Sequence, residues 1–386
     1  MFPPFKAGRV LSNRVAACLD SVGADLTYEF KELINEDISH GILTTYGVNT
    51  EFVVTQLPET APFTVICHYD ANRVSSGARA LTPNIKLALP HIAPQESMHA
   101  KVYLLYHAMF LRLVVGSANL TPTDHSGMRQ AIVYFDLPRR RFPHRVEHQV
   151  AAALSALMSD LGVDQSTLDF DRYDWTSIGP DVRMVVSIPG QHSTSGTVPL
   201  GHLALPHQIL SEVTVQCSSV QSYPRFHQQL LDSLMLRPHG TFRVAFPSVR
   251  AVVGSAGGAS YLHCKPEAAE CIRAHRQSSF SDIVMKEGQP RLLSHSKLIT
   301  AIEPSGDLAW VYLGSANLSA AAWGVITGQT ITIRNHEAGF VFLSPNADVF
   351  EAIPYRMPPP TYQPNDVPYV EVIDDNRMVG SFDTPG

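Results

Sequence analysis

Long apolar runs are missing from this 386-residue chain: none approaches the roughly 20 residues needed to span a bilayer. Its opening residues, Met1 to Val10, also lack the apolar core and small-residue cleavage site of a secretory signal. Cysteine is scarce. The five present (Cys18, Cys67, Cys217, Cys264 and Cys271) are odd in number and have no CxxC spacing, so neither a disulfide framework nor a zinc cluster is expected, and a reducing compartment fits best. Charged residues make up only 17%, and the net charge of −6 (pI near 6.3) has the wrong sign for coating duplex DNA. That argues against a broad basic face. It does not exclude an enzyme gripping a few phosphates in a narrow cleft, where the local field outweighs net charge. A hydrophobic content of 45% indicates a compact globular protein, long enough for two domains of ordinary size.

What the chain does have is a repeat. His99-Ala100-Lys101 leads to Gly116-Ser117-Ala118-Asn119-Leu120-Thr121, and His295-Ser296-Lys297 leads to Gly314-Ser315-Ala316-Asn317-Leu318-Ser319. Lys to Asn is 18 residues in one copy and 20 in the other, and the copies lie 196 residues apart, about half the chain. Duplication is the economical explanation. Between the motif ends, Lys101 to Tyr106 and Leu111 to Val115 are β-prone runs separated by a break at His107-Ala108. Lys297 to Ile302 and Ala309 to Leu313 match them around the turn sequence Glu303-Pro304-Ser305-Gly306-Asp307. Each pair predicts a hairpin that brings His and Lys at one strand's start close to Asn beyond the other strand's end.

Helical patterns fall at Asn13 to Asp20, Val146 to Leu161 and Phe226 to Leu236, and their alternation with strands predicts an α/β protein. The turn-rich stretch from Ile188 to Gly196 suggests a division into residues 1–189 and 190–386. The prolines from Pro354 onward predict an extended C-terminal arm rather than a helix.

The paired motif suits phosphodiester cleavage without a metal. One neutral imidazole can attack phosphorus, and a protonated one can protonate the leaving oxygen. Positioned acid catalysis of that kind is typically worth about 10²–10⁴-fold. Two lysines supply charge for the phosphate and two asparagine amides supply neutral donors. Each fragment alone has a plainer reading: a structural histidine, a solvated lysine, a glycine-bearing turn. Recurrence at half-chain separation favours the catalytic one.

These motifs resemble the phospholipase D superfamily, which joins two His-x-Lys half-sites. Most members carry Asp five residues after the Lys, where this chain has Tyr106 and Ile302. The distal Asn, and Ala321-Ala322-Trp323-Gly324 after the second motif, resemble the tyrosyl-DNA phosphodiesterase family instead. So do Val186 to Gly190, Ser218 to Ser222, Phe246 to Val249, His336 to Leu343 and Pro354 to Pro359.

The resemblance implies two phospholipase D-like α/β/α sandwich halves related by a pseudo-twofold axis, with the active site at their interface. It implies hydrolysis of a 3′-phosphodiester between DNA and a tyrosine or another 3′ adduct. The substrate would be single-stranded or end-frayed DNA carrying a topoisomerase I-derived peptide, with no cofactor, metal or membrane involved. His99 would be the nucleophile. His295 would act as acid and then base, and Lys101, Lys297, Asn119 and Asn317 would hold the phosphate. Gln130 and Glu337 would orient the histidines, Glu337 most naturally on His99. Tyr46 would lie on the peptide side, Ser219 and Ser222 would bind DNA phosphates, and Ser319 would donate to phosphate or support the site. At the family's base-stacking position, four before the first motif His, stands Gln95, with His91 nearby as a substitute ring. No long N-terminal regulatory region is matched, a nuclear location follows from the family, and a monomer suffices because two fused halves complete one site. A general phospholipase D-type nuclease or lipid hydrolase is the alternative enzyme reading, and a silent DNA-binding scaffold the alternative outside enzymes.

Overall fold

The computed structural model of the chain describes residues 9–13, 27–34, 37–72, 74–221, 224–255, 261–275, 277–284, 292–343 and 355–370. The first part runs β1 (Arg9–Asn13), β2 (Thr27–Tyr28), β3 (Ile38–Thr45), α1 (Thr50–Gln56), β4 (Phe63–Cys67), β5 (Gly77–Ala80) and β6 (Ile85–Leu89). It continues with β7 (Ser97–Met98), β8 (Val102–His107), β9 (Phe110–Gly116), α2 (Pro122–Ser126), β10 (Ala131–Pro138) and α3 (Gln149–Asp160). The second part begins β11 (Val182–Ser187), β12 (Gly190–Ser193), β13 (Leu210–Gln216), β14 (Ser219–Val220), α4 (Pro224–Ser233), β15 (Leu236–Ala245) and α5 (Val249–Val253). Then come β16 (His263–Cys264), α6 (Pro266–Ala274), β17 (Ser278–Ser281), β18 (Lys297–Ile302) and β19 (Leu308–Gly314). The last elements are α7 (Ala320–Trp323), β20 (Val325–Thr327), β21 (Thr330–Ile333) and β22 (Asn335–Phe342).

Both predicted hairpins form, as β8–β9 and β18–β19. Each sits inside a mixed sheet. The first sheet contains the path β10-β9-β8-β3-β4-β6 and the second β22-β19-β18-β13-β15-β17. Neighbours along the two paths have the same sequence of relations: three antiparallel pairings, then two parallel ones. The duplication seen in the motifs therefore extends through six strands of each sheet.

The sheets pack face to face. Leu111, Leu113 and Val115 of β9 and Val133 and Phe135 of β10 share one buried cluster with Val311, Leu313, Phe340 and Phe342 of the second sheet. The rings of Phe135 and Phe340 meet edge-on at 5.0 Å. Separate clusters cover the outer faces, around Phe30, Val53 and Val65 on one side and Phe226, Leu230 and Ile272 on the other. Strands buried on both faces carry near-continuous apolar runs, as β8 and β9 do. One exception is Arg112 on β9, fully buried and held by both carboxylate oxygens of Asp136 at 2.7 and 2.8 Å.

Three expectations shift. Asn13 ends strand β1 rather than opening a helix, because its amide donates to the carbonyls of Met128 (2.7 Å) and His125 (3.1 Å); residues 14–20 lie outside those described. Sheet membership changes between Pro138 and Val182, ahead of the 189/190 division: β11 already pairs with β22, and the turn-rich stretch is spent on β12, which pairs with β21. The predicted helices at 146–161 and 226–236 form as α3 and α4, trimmed by capping at His148 and begun earlier at Pro224. The C-terminal arm is extended where described, bridging Thr361 to Ser281 and Pro368 to Ser248. No helix among the described residues is long and apolar enough to cross a membrane.

Candidate active site

Each motif's strand and asparagine are held within its own half, but the backbone of its histidine is anchored to the other. Strand β7, just before His99, pairs in parallel with β22, and the His99 N–H donates to the His336 carbonyl at 3.1 Å. In the mirror position, Arg129 N–H donates to Leu293 O at 3.0 Å and His295 N–H donates to Arg129 O at 2.8 Å. The residue that follows each anchoring carbonyl is Glu337 in one case and Gln130 in the other. The two orienting candidates thus occupy equivalent places, each facing the histidine of the opposite half.

The lysines are equally matched. Lys101 Nζ donates to His99 O at 2.6 Å and Lys297 Nζ to His295 O at 2.5 Å, and both side chains are buried. The asparagine oxygens are fixed by backbone. Asn119 Oδ1 accepts from Gly47 N–H at 3.1 Å, and Asn317 Oδ1 from Ser218 and Ser219 N–H at 3.2 and 3.0 Å. Parallel bridges Val48–Leu120 and Val220–Leu318 hold these loops in the same register. With each oxygen turned to the backbone, each amide nitrogen faces the opposite way; that of Asn119 gives one N–H to Asp124 Oδ2 at 3.3 Å and keeps the other for a phosphate.

The histidines differ in their partners. His99 Nδ1 lies 2.9 Å from Glu337 Oε2, which also accepts from Ser315 Oγ, while Asn335 donates to Oε1. Ser117 Oγ repeats the Ser315 contact on Gln130 Oε1 at 2.7 Å. Yet His295 Nδ1 meets two groups: Gln130 Nε2 at 3.3 Å and Asp124 Oδ1 at 3.1 Å. Asp124 was not among the residues picked out from sequence. A signal existed: five residues after Asn119 stands an Asp, and five after Asn317 stands Ala322.

Electrostatics tie the groups into one site. Burial pushes His99 below its ordinary pKa, with Glu337 opposing and both lysines adding to the push. Burial, then Lys297, pushes His295 down to about 4 against the pull of Asp124. Burial brings Lys101 to about 8, and burial with repulsion from Lys101 takes Lys297 well below its ordinary value. Burial would raise Glu337, but His99 and Lys101 hold it below the usual carboxylate range. Two crowded lysines beside two buried imidazoles are what an anion would relieve: a phosphate among them would raise the pKa of both lysines and of His295.

Around this centre, the Tyr46 ring stacks on His68 at 4.6 Å and tilts against His99 at 5.3 Å, with Lys101 Nζ 5.8 Å from its centroid. Tyr261, which sequence reading missed, holds the corresponding place over His295 at 5.4 Å. It is 44% exposed and has φ of 70°, a backbone region bulky residues seldom occupy. Ser219 contributes its N–H to Asn317, and Ser222 lies outside the described residues. Ser319 is buried and its hydroxyl accepts from Ala322 N–H, capping α7 as Thr121 caps α2. Gln95 and His91 are exposed.

The tyrosyl-DNA phosphodiesterase family model matches residues 12–366. Tyrosyl-DNA phosphodiesterase 1 of Arabidopsis thaliana is 23% identical across 88% of this chain and 70% of its own length. Its Drosophila melanogaster namesake is 24% identical across 74% of this chain and 58% of its own length. The crystal structure of a yeast tyrosyl-DNA phosphodiesterase aligns with TM-score 0.72 at 15% identity, covering 95% of this chain and all of that one, a likeness of fold.

Proposed function

Since the chain belongs to the tyrosyl-DNA phosphodiesterase family, we propose that it hydrolyses the 3′-phosphodiester bond joining DNA to a tyrosine, as left by a trapped topoisomerase I peptide, and related 3′ adducts. The observation that carries this reading is the crossed pair of His–Lys–Asn sets, each histidine anchored and faced by the other half.

His99 Nε2 attacks phosphorus and the bond from phosphorus to the tyrosine oxygen breaks. His295 gives that oxygen a proton, leaving a phosphohistidine on His99. His295, now neutral, takes a proton from water; the hydroxyl attacks phosphorus, the P–N bond breaks and a 3′-phosphate end is released. Lys101, Lys297, Asn119 and Asn317 stabilise the charge on the equatorial oxygens throughout. Glu337 fixes the His99 tautomer by accepting from Nδ1–H, leaving Nε2 bare for attack. Tyr46 contacts the peptide side, and the loop of Ser219 and Ser222 contacts the DNA backbone. With Gln95 exposed where the family stacks a base, a stacking contribution of about 1–3 kcal/mol is lost or supplied elsewhere. One chain completes the site, and its DNA substrate puts its work in the nucleus.

The test is direct. A single-stranded oligonucleotide bearing a 3′-phosphotyrosine, incubated with the protein in EDTA, should be converted to a 3′-phosphate end. Absence of turnover at micromolar enzyme contradicts the reading, and cleavage of a phospholipid but not the oligonucleotide would replace it with the lipid hydrolase.

A further inference from the structure

Two groups compete for Nδ1 of His295, and they require opposite tautomers. An amide nitrogen only donates, so a bond from Gln130 Nε2 needs Nδ1 bare and the neutral ring's proton on Nε2. A carboxylate only accepts, so a bond to Asp124 needs Nδ1–H and leaves Nε2 as the nitrogen that exchanges protons with substrate and water. The surrounding bonds decide between them.

Ser117 Oγ donates to Gln130 Oε1 at 2.7 Å, which fixes the amide's orientation, and Gln130 Nε2 gives one of its two N–H groups to Asp124 Oδ1 at 2.7 Å. Its 3.3 Å approach to the ring is the longer of its two contacts. Asp124 is completely buried, and its second oxygen accepts from Thr121 Oγ at 2.8 Å and Asn119 Nδ2 at 3.3 Å. Burial opposes the charge of Asp124, but bonds from His295, Thr121 and Asn119 keep its carboxyl well below the ordinary range, so it is an anion. A charge-assisted N–H to carboxylate bond is roughly twice as strong as a neutral one. The ionisable groups facing His295 are Lys297 beside it, Lys101 from the other half, the Tyr261 ring and Asp124 from α2. Of these, Asp124 is the one that favours a protonated ring.

We infer that Asp124, not Gln130, is the residue that positions His295 and holds the proton on its Nδ1, while Gln130 acts one step back by fixing Asp124. The inference rests on the function proposed above and completes its symmetry: each histidine receives a carboxylate from the opposite half. Glu337 comes from a strand, whereas Asp124 comes from the first turn of a helix because Gln130 fills the strand position. Asp124 also accepts from Asn119, so the phosphate-facing amide of one half and the acid–base histidine of the other share one anchor.

The wild-type protein offers a test that needs no variant to fold. Nitrogen NMR of ¹⁵N-histidine-labelled protein, with His295 assigned by its loss in His295→Asn, should show neutral His295 protonated on Nδ1; protonation on Nε2 overturns the inference. Variants extend the test to turnover. Asp124→Asn keeps the shape and removes the charge. It should slow hydrolysis of the His99 adduct on the order of 10²-fold and move the pH profile of that step to lower pH, because the ring loses its stabilising anion. Adduct formation from a 3′-nitrophenyl phosphodiester, whose leaving group needs no proton, should be spared. Gln130→Met should cost less than Asp124→Asn. A larger loss in Gln130→Met, or an unmoved pH profile in Asp124→Asn, overturns the inference while wild-type turnover leaves the function standing. No wild-type turnover on either substrate overturns the function itself.

Discussion

The two halves share a frame and differ in what they put at its most sensitive positions. Six strands follow the same order, each motif strand is anchored by the carbonyl before the opposite half's orienting residue, and each lysine bonds its own histidine's carbonyl. Where the second half places Glu337, the first places Gln130 and brings Asp124 in from α2. Two places farther along the same strands, Ile132 stands where the second half has Gly339, since a Cβ there would meet the Tyr312 ring at 2.2 Å. Duplicated geometry supplies a symmetric pocket for a near-symmetric group, the phosphoryl centre. The departures fall where the two histidines need different behaviour, one to attack and the other to carry protons.

Removing the nucleophile breaks the comparison most severely. His99→Ala should lower turnover of the 3′-phosphotyrosine substrate by roughly 10⁴-fold or more and eliminate the covalent adduct, measured by single-turnover kinetics and denaturing gels. Making the second half resemble the first is the next largest change. Glu337→Gln removes the anion facing His99, and adduct formation should slow on the order of 10²-fold, with the pH profile of that step displaced. Hydrolysis of preformed adduct should suffer less, the reverse of Asp124→Asn.

Acid should erode both halves together. His68 and His125 in the first and His202, His227 and His295 in the second are pushed by burial to about 4. The unfolded chain takes up protons on these rings near 6.5 and the folded chain only near 4. Stability is therefore intact above about pH 6.5 and lost progressively as pH falls toward 4. Denaturant midpoints measured across that window should decline together for probes placed in each half, because one apolar cluster spans both sheets. The smallest effect separates the two helix caps. Ser319→Ala and Thr121→Ala should each cost about 1 kcal/mol of stability by thermal melting. Only Thr121→Ala should also slow adduct hydrolysis, since Thr121 Oγ donates to Asp124.

Much of this was legible in the sequence because the motif residues sit at the ends of local hairpins, where strand pattern and turn chemistry suffice. The strand pairs bracketed by Lys101 and Asn119, and by Lys297 and Asn317, are of that kind. What could not be read comes from distant chain. The bond from His99 N–H to His336 O depends on how the halves pack, and so does the approach of Asp124 to His295. Tyr261 reaches His295 from a loop whose conformation no local pattern dictates. The pairing of Gly190–Ser193 with β21 is likewise distant, because turn residues at 188–196 suit a corner inside a sheet system as readily as a linker.

The measurement that bears most directly on the account is the identity of the phosphorylated residue. The His295→Ala protein, mixed with an oligonucleotide carrying a 3′-nitrophenyl phosphodiester, quenched and digested, should yield a DNA-modified peptide whose fragments place the phosphoryl group on His99. Modification of any other residue, or release of nitrophenol with no adduct accumulating, would contradict the division of labour between the two halves.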